Sequence, residues 1–302
     1  MFFIYRWSST DAENWHRVGE LPRGVNVERL AVSEDGVGVI GGYVETLPRG
    51  ANLNERMLRR KAVVWRLQGQ HLEKVYEGPG WVQSIDHAGP DWFAVVGTLK
   101  VTGTGSNYRL IGSSDAAKTW NEIGKIAARS ITQILPLTSS VVYVFGASTL
   151  MVTKDGGKSW TPLPFPGVAK GRGFAESIAP AQEGGLLAFG IGLMLMRPGT
   201  AMWETILTEQ YRVEAVTDPF VAAVAGGEVQ VFRRTPEGFS VVSELPEDRH
   251  PVRIATEWEI IRIITHPRHP EKLGFFMGGL DRVLFRSDDG GRSWKSQGLK
   301  AI

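Results

Sequence analysis

The chain has 302 residues, and 42% of them are hydrophobic, including ten tryptophans, so it can bury a substantial core. Lys and Arg total 34 against 32 Asp and Glu, and this near balance of charge argues against a dedicated nucleic-acid-binding protein. The absence of cysteine excludes disulfides and cysteine-ligated metal sites.

The apolar runs of the chain predict neither a targeting segment nor a membrane helix. The N-terminal run, Phe2–Trp7, is too short for the core of a signal peptide and has no basic region before it. No stretch approaches the roughly 18 apolar residues of a transmembrane helix. We therefore expect a cytoplasmic protein without membrane insertion, or a periplasmic or extracellular one if a leader has been removed.

A β-rich apolar stretch that ends in glycine recurs six times along the chain. One short apolar segment precedes each stretch and two follow it, which is the spacing of strands and turns in all-β proteins. We therefore predict six groups of four strands. The groups cover residues 25–77, 80–124, 128–163, 172–207, 211–244 and 259–299.

The pattern Ser/Thr-x-Asp-x-Gly/Ala-x-Ser/Thr-Trp occurs three times, beginning at Ser113, Thr153 and Ser287. A carboxylate in such a pattern can accept hydrogen bonds from its own turn, glycine permits a positive φ, and Trp can anchor the turn against a sheet. We therefore predict structural turns, not calcium-binding or catalytic aspartates. The structural residues would be Asp115, Trp120, Asp155, Trp160, Asp289 and Trp294.

This pattern resembles the Asp-box, or BNR, repeat of sialidases, sortilin-type receptors and photosystem II assembly factors. Two copies match in full, and one carries Ala117 in place of a glycine. The resemblance implies an all-β fold, a β-propeller of four-stranded antiparallel blades, with the Asp-box between the third and fourth strands of a blade. It implies no activity, because the families that share the repeat do unrelated things.

The groups of four strands would then be blades of a single propeller domain over residues 1–302. Within residues 1–20, Phe2–Trp7 and Trp15–Val18 look like the second half of a further blade. A propeller closes by joining its chain ends, which removes free sheet edges. We predict six complete blades plus a partial N-terminal one. A seven-bladed ring is favoured over six blades with an accessory hairpin.

Long connections are predicted at the ends of the blades opposite the Asp-boxes. They are Glu45–Lys61, in which residues 54–58 could form a short helix, Pro162–Gly173 and Ser243–Trp258. Arginine and tryptophan are typical of protein-interaction hot spots and of sites for acidic groups, whereas solvated loops without a function are the alternative. The predicted partner-binding residues are Arg49, Arg56, Arg59, Arg60, Trp81, Lys170, Arg172, Arg249, Arg253 and Trp258.

Two other sets of side chains favour ordinary roles. His266 and His269 could bind a metal, but the two adjacent prolines indicate a rigid turn, so we predict neither a metal nor a cofactor. Alternate residues of the inner strands would line a central channel, where mixed charges around water are the ordinary outcome. The channel candidates are Arg29, Gln83, Gln133, Glu176, Glu214 and Arg262.

The sequence carries no positive evidence for catalysis. Sialidases combine Asp-boxes with an Arg-Ile-Pro triplet near the first blade, and Arg253-Ile254-Ala255 is the nearest approach in this chain. Other propeller glycosidases use two facing carboxylates. Nothing in the spacing of the candidate carboxylates singles out a pair; these are Glu176, Glu209, Glu257 and Glu259.

The sequence therefore predicts a non-enzymatic interaction propeller. It would bind another protein through its basic, tryptophan-bearing face, as a scaffold, an assembly factor or an inhibitor or immunity-type protein, and we expect a monomer. The alternative is a carbohydrate-active protein, either lectin-like or a diverged glycoside hydrolase.

Overall fold

A computed structural model of the chain describes residues 21–45, 53–69, 71–99, 106–166, 168–169, 172–173, 175–181, 184–225, 228–235, 238–244, 262–266, 269–276 and 283–298. The chain divides into two compact units, Met1–Phe165 and Pro166–Ile302, and each is described by itself. The single domain over residues 1–302 stays a prediction. In the described ranges, no helix has the length and apolar character needed to cross a membrane.

The first unit contains three four-stranded antiparallel sheets. Its elements are β1 Val25–Val32, β2 Gly38–Val44, α1 Leu53–Leu58, β3 Lys61–Gln68, β4 His71–Pro79, β5 Trp81–Ala88, β6 Asp91–Leu99, β7 Ser106–Ser113, β8 Asn121–Ile126, β9 Gln133–Pro136, β10 Val142–Gly146, β11 Thr149–Thr153 and β12 Thr161–Pro162. Strands β1–β4, β5–β8 and β9–β12 form the three sheets, each paired in chain order, and α1 lies between β2 and β3.

The second unit contains a pair of short strands, a six-stranded sheet and a four-stranded sheet. Its elements are β13 Val168–Ala169, β14 Arg172–Gly173, β15 Ala175–Pro180, β16 Leu186–Met196, β17 Trp203–Thr217, β18 Phe220–Ala225, β19 Glu228–Thr235, β20 Gly238–Glu244, β21 Arg262–His266, β22 His269–Phe276, β23 Val283–Ser287 and β24 Lys295–Gly298. Strands β13–β14, β15–β20 and β21–β24 form the three sheets in that order.

Strand β16 turns back on itself within the six-stranded sheet. A Cβ added to Gly185, just before β16, would lie 2.9 Å from the carbonyl oxygen of Met196 at its far end. Eleven extended residues would separate those ends by roughly 35 Å, so the strand must reverse. Gly190 and Gly192 have positive φ values of 151° and 86° and mark the reversal. β16 therefore supplies two strand segments, Leu186–Gly190 and Leu193–Met196.

The predicted four-stranded antiparallel sheets are confirmed for the groups 25–77, 80–124, 128–163 and 259–299. The predicted groups 172–207 and 211–244 share one sheet because β17 continues from the end of one group into the start of the next. The number of blades and the closure by residues 1–20 stay predictions, because those residues lie outside the described ones.

Apolar side chains between neighbouring sheets hold the first unit together. Ala94 packs in a cluster with residues of the first sheet, whereas the next residue, Val95, packs with residues of the third sheet. Leu110 and Ile111 divide between the same two clusters. Successive strand residues point to opposite faces, and here both faces are buried, which explains the continuous apolar runs. Burial of a side chain of the size of Val95, Leu110 or Ile111 contributes about 1.5–3 kcal/mol to the free energy of unfolding.

The aspartate in each of the three repeated turns is held by the turn itself. Asp115 accepts hydrogen bonds from the N–H groups of Lys118 and Thr119 at 3.0 and 2.9 Å. The hydroxyls of Ser113 and Thr119 also donate to it, both at 2.7 Å. Three of these four hydrogen bonds end at Oδ1 and one at Oδ2, so the turn itself engages most of the acceptor capacity of Asp115.

The other two turns repeat this arrangement. Ser159 and Thr153 donate to Asp155, and Ser293 and Ser287 donate to Asp289. These hydrogen bonds favour the ionised form and hold the pKa of Asp115 and Asp155 well below the usual range. The hydroxyl and then the backbone N–H of Ser293 lower the pKa of Asp289 to about 2.

Two of these turns, Ser113–Trp120 and Thr153–Trp160, also contact the preceding sheet. Nε of Arg66 in β3 donates to the carbonyl oxygen of Ala116 at 2.8 Å. In the other turn, a Cβ added to Gly157 would overlap Cδ2 of Leu110 in β7. The turns therefore join sheets as well as strands.

We expect the replacement Ala116→Gly to stabilise the protein by about 1 kcal/mol, because an L-residue is strained in the left-handed region and glycine is not. Ala116 has a φ of 57°, and the equivalent Gly156 has a φ of 72°. The matched change Gly157→Ala should destabilise, since its φ is 100° and its new Cβ would overlap Leu110. Urea denaturation measures both; a midpoint for Ala116→Gly at or below that of the parent contradicts the prediction.

We expect the stability of the protein to fall as the pH is lowered from about 4 towards 2. The unfolded Asp289 carboxyl, with a pKa near 3.9, takes up a proton before the folded one does, so acid favours the unfolded state. Asp289→Asn should lower the urea midpoint at pH 5 but reduce its change between pH 5 and pH 3. Asp91→Asn is the control, because no hydrogen bond to the Asp91 carboxylate occurs within the described structure. An unchanged pH dependence in Asp289→Asn contradicts the prediction.

Candidate functional site

The two ends of the first sheet carry different features. Lys61 at the start of β3 pairs with Pro79, whereas Gln68 at the other end pairs with His71 beside the β3–β4 turn. Arg66, near that second end, contacts the Asp115 turn of the neighbouring sheet. The connection from β2 to β3, with α1, therefore lies at the end away from the Asp turn. We call residues 53–60 the α1 segment.

Glu45 holds the α1 segment through two arginines. Nε and Nη2 of Arg56 donate to Oε2 of Glu45 at 3.0 and 2.6 Å. Nε and Nη2 of Arg60 donate to Oε1 at 2.9 and 2.8 Å. The hydrogen bonds from Arg56 and then Arg60 hold the pKa of Glu45 below its usual range. Each guanidinium thus directs two N–H groups at a single oxygen of Glu45, so the two arginines share one carboxylate through charge-assisted hydrogen bonds.

Tyr43 and Gly80 fix the position of Arg60 further. The guanidinium carbon of Arg60 lies 3.9 Å from the centroid of the Tyr43 ring. The N–H of Gly80 donates to the carbonyl oxygen of Arg60 at 2.8 Å. Arg59 is exposed, and within the described structure no acidic side chain pairs with it. Of the three predicted arginines of this segment, Arg56 and Arg60 are paired with Glu45 and Arg59 is not.

Trp81 is placed differently from the sequence-based expectation. Its side chain is buried, with 9% exposure, and its Nε1 donates to Oε1 of Gln83 at 2.8 Å. A Cβ added to Gly97 of β6 would lie 2.8 Å from Cζ2 of Trp81, so the indole covers this glycine. The expectation of an exposed tryptophan at this position is therefore wrong. The ring stabilises the pairing of β5 with β6.

Most of the other predicted partner-binding residues lie outside the described residues. These are Arg49, Lys170, Arg249, Arg253 and Trp258. Of Arg172, only the backbone in β14 is described. In the part of the chain that the structure describes, no group of three or more metal-ligating side chains occurs.

The predicted channel and glycosidase residues are dispersed over several strands. Arg29 is half-buried and donates to the carbonyl oxygen of Glu28, and Glu214 forms an ion pair with Arg212 at 2.8 Å. Glu176 and Glu209 are exposed in β15 and β17. The predicted carboxylates Glu257 and Glu259 lie outside the described residues.

A groove that the sequence did not predict lies along β7 and β8. We call it the β7–β8 groove; its volume is about 500 Å³. It is lined by Thr98, Asn107, Tyr108, Arg109, Glu122, Lys125, Ile126 and Ala127. Because Thr98 precedes the β6–β7 connection and Ala127 follows β8, the groove opens at the end of the sheet opposite the Asp115 turn.

Arg109 and Lys125 carry the positive charge of this groove. They are paired across β7 and β8. Nη2 of Arg109 donates to the carbonyl oxygen of Pro79 at 2.7 Å, and its Nη1 lies 3.8 Å from Oε2 of Glu122. Lys125 is exposed, and no ion pair to it occurs in the described ranges. The sequence feature that could have indicated this groove is Arg109, a cation between Tyr108 and Leu110 in an apolar strand; both neighbours are buried in the structure.

Comparison with known proteins gives relatives by structure and none by sequence. No family model matches the chain, and no curated protein matches it. The structure titled "YCF48 bound to D1 peptide" is similar, with a TM-score of 0.59 and 17% identity, over 92% of this chain and 82% of that one. YCF48 from Cyanidioschyzon merolae also has a TM-score of 0.59, with 14% identity, over 93% of this chain and 88% of that one.

A third similar structure is the extracellular domain of a putative one-component system from B. thetaiotaomicron. The TM-score is 0.51 and the identity 11%, and the similarity covers 93% of this chain but 47% of that one. At these identities the comparisons establish the fold. The predicted fold class, an all-β propeller of four-stranded antiparallel sheets, is confirmed.

Proposed function

We propose that this propeller is a non-enzymatic protein-binding domain. Its partner would bind the end of the first unit that carries the α1 segment and the β7–β8 groove. The observation that carries the proposal is this groove, because its volume suits several side chains of a peptide segment and an exposed cation, Lys125, lines it. A propeller of the same fold has been solved with a bound D1 peptide, which supports a peptide as the kind of ligand.

The groove chemistry indicates a segment that carries both carboxylates and apolar side chains. The Lys125 ammonium and the Arg59 guanidinium lack acidic partners in the described structure and can pair with carboxylates. Tyr108 and Ile126 offer apolar surface at the wall, and Thr98 and Asn107 offer side-chain hydrogen bonds. Glu45 orders the α1 segment before binding, so little conformational entropy is lost on association.

A carbohydrate-active function has no specific support among the described residues. A glycosidase general acid needs a raised pKa. The carboxyl groups with a clearly shifted pKa in the described structure are all lowered; they are Asp35, Glu45, Glu77, Asp115, Asp155 and Asp289. We further propose that the protein acts as a scaffold, an assembly factor or an inhibitor. It would do so as a monomer in the cytoplasm.

Site-specific photo-crosslinking tests the location of the partner. A benzophenone amino acid placed at Arg59 or Lys125 should capture the same protein from cells, identified by mass spectrometry. The control is Lys158, an exposed residue of the Asp155 turn in the same unit. Capture at Lys158 but not at Arg59 or Lys125 contradicts the proposed surface. Capture at none of the three, together with binding to a glycan array, contradicts the proposed function.

Charge reversal at Arg59 and Lys125 measures how much these cations contribute to the affinity for the captured partner. We expect Arg59→Glu with Lys125→Glu to weaken binding about tenfold, because two favourable charge pairs become repulsive. Lys158→Glu changes the net charge at the opposite end of the sheets and should leave the affinity within about twofold. Equal losses from both changes would indicate a nonspecific charge effect and contradict the proposed site.

Glu45→Gln should loosen the α1 segment, because it leaves two adjacent guanidinium groups without their shared carboxylate. We expect limited trypsin digestion after Arg56 and Arg59 to become several-fold faster. Glu77→Gln is the matched control: Glu77 also accepts from two cations, Lys61 and Lys74, but within strand pairings. Unchanged cleavage in Glu45→Gln would show that Glu45 does not order the segment.

A further inference from the structure

A second concave surface lies in the second unit, where two arginines meet two hydroxyl groups. We call it the β19–β20 cleft; it is open to solvent and has a volume of about 610 Å³. Arg233, Thr235 and Ser240 line it from β19 and β20, and Arg292 lines it from the Asp289 turn. No predicted partner-binding residue of the sequence belongs to this cleft.

Strand geometry places the β19 and β20 side chains on one face of the sheet. Arg233 and Ser240 are directly paired across β19 and β20, so their side chains share a face. Thr235 lies two residues beyond Arg233 and therefore on the same face. The preceding residue, Phe232, points the other way and is buried in the core of this unit. The arginine and both hydroxyls thus face the same cleft.

Both arginines are carried by ordered elements. The Arg233 guanidinium carbon lies 5.7 Å from the ring centroid of Phe220, its partner across β18 and β19. The backbone N–H of Arg292 is one of the donors to Asp289, so this residue belongs to a turn fixed by its own carboxylate. Side chains on rigid elements lose less conformational freedom when a ligand binds.

The charge of the cleft is uncompensated. None of the described residues that line it is acidic. Arg234, which also lines it, forms an ion pair with Asp218 at 2.8 Å. Arg233 and Arg292 are exposed and have no ion pair within the described structure. Two like charges that border one concave surface create a positive potential that an anion relieves.

We propose that the β19–β20 cleft binds a phosphate group. Two guanidinium forks match the oxygens of a phosphate, and the Ser240 hydroxyl can donate to a further oxygen. The Thr235 hydroxyl donates to the carbonyl oxygen of Gly238 at 3.3 Å and would have to rotate to donate to the phosphate. The phosphate is either inorganic or carried by a phosphorylated side chain. This site lies in the second unit and does not depend on the protein-binding surface proposed for the first.

Thermal unfolding in phosphate tests the proposal. Inorganic phosphate at about ten times its dissociation constant should raise the Tm by about 3 °C, compared with sodium chloride at the same ionic strength. Arg233→Gln and Arg292→Gln should each abolish the shift. The matched control is Arg197→Gln, another exposed arginine of this unit, which pairs with Glu204 at 3.0 Å and does not line the cleft.

Three results would overturn the proposal. They are an equal shift with chloride, a shift that persists in both cleft variants, and a shift that Arg197→Gln abolishes as well. If a cleft arginine variant unfolds, Ser240→Ala with Thr235→Val replaces it and should weaken the phosphate effect several-fold; an unchanged effect contradicts the site. Phosphoserine amide distinguishes the source: a larger shift than with inorganic phosphate indicates a phosphorylated side chain, and a smaller one indicates free phosphate.

Discussion

The aspartate that each repeated turn holds by hydrogen bonds is the constraint on which the sheet architecture depends. Each of the three carboxylates accepts hydrogen bonds from its own turn, and those of Asp115 come from two backbone N–H groups and two hydroxyls. These bonds fix the path from one strand to the next at a site where the backbone must adopt positive φ. A fixed turn can then contact the preceding sheet, as Ala116 does with Arg66. The same carboxylate thus stabilises a hairpin and a sheet–sheet interface.

The two ends of the first unit differ in how their connections are held in place. At the Asp-turn end the short connections are closed by internal hydrogen bonds. At the opposite end, the connection between β2 and β3 is long enough to include a helix, and a carboxylate from outside the helix, Glu45, orders it. Order imposed by a salt-bridge network leaves the outer surface of the segment available for contact. The β7–β8 groove opens at this same end.

Sequence reasoning succeeded where the determining interactions are local. The grouping of strands follows from alternation and glycine punctuation, and the turn chemistry of Asp115 involves residues within four positions. It failed where distant residues decide. Trp81 is buried because it covers Gly97, and Arg109 is placed by the carbonyl oxygen of Pro79, thirty residues earlier. The joining of two predicted strand groups through β17 likewise depends on tertiary pairing, which no local pattern reveals.

The candidate binding residues can be narrowed by separating the cations that form ion pairs within the described structure from those that do not. An arginine count alone would have given Arg56, Arg60 and Arg59 equal weight. In the structure, Arg56 and Arg60 form ion pairs with Glu45, and Arg234 forms one with Asp218. These guanidinium groups therefore stabilise the fold. A cation that already pairs with a carboxylate would have to give up that pair before binding a ligand, which offsets part of what the new contact contributes. The two proposed sites therefore lie where the described fold leaves charge uncompensated: one beside Arg59 and Lys125 in the first unit, the other at Arg233 and Arg292 in the second.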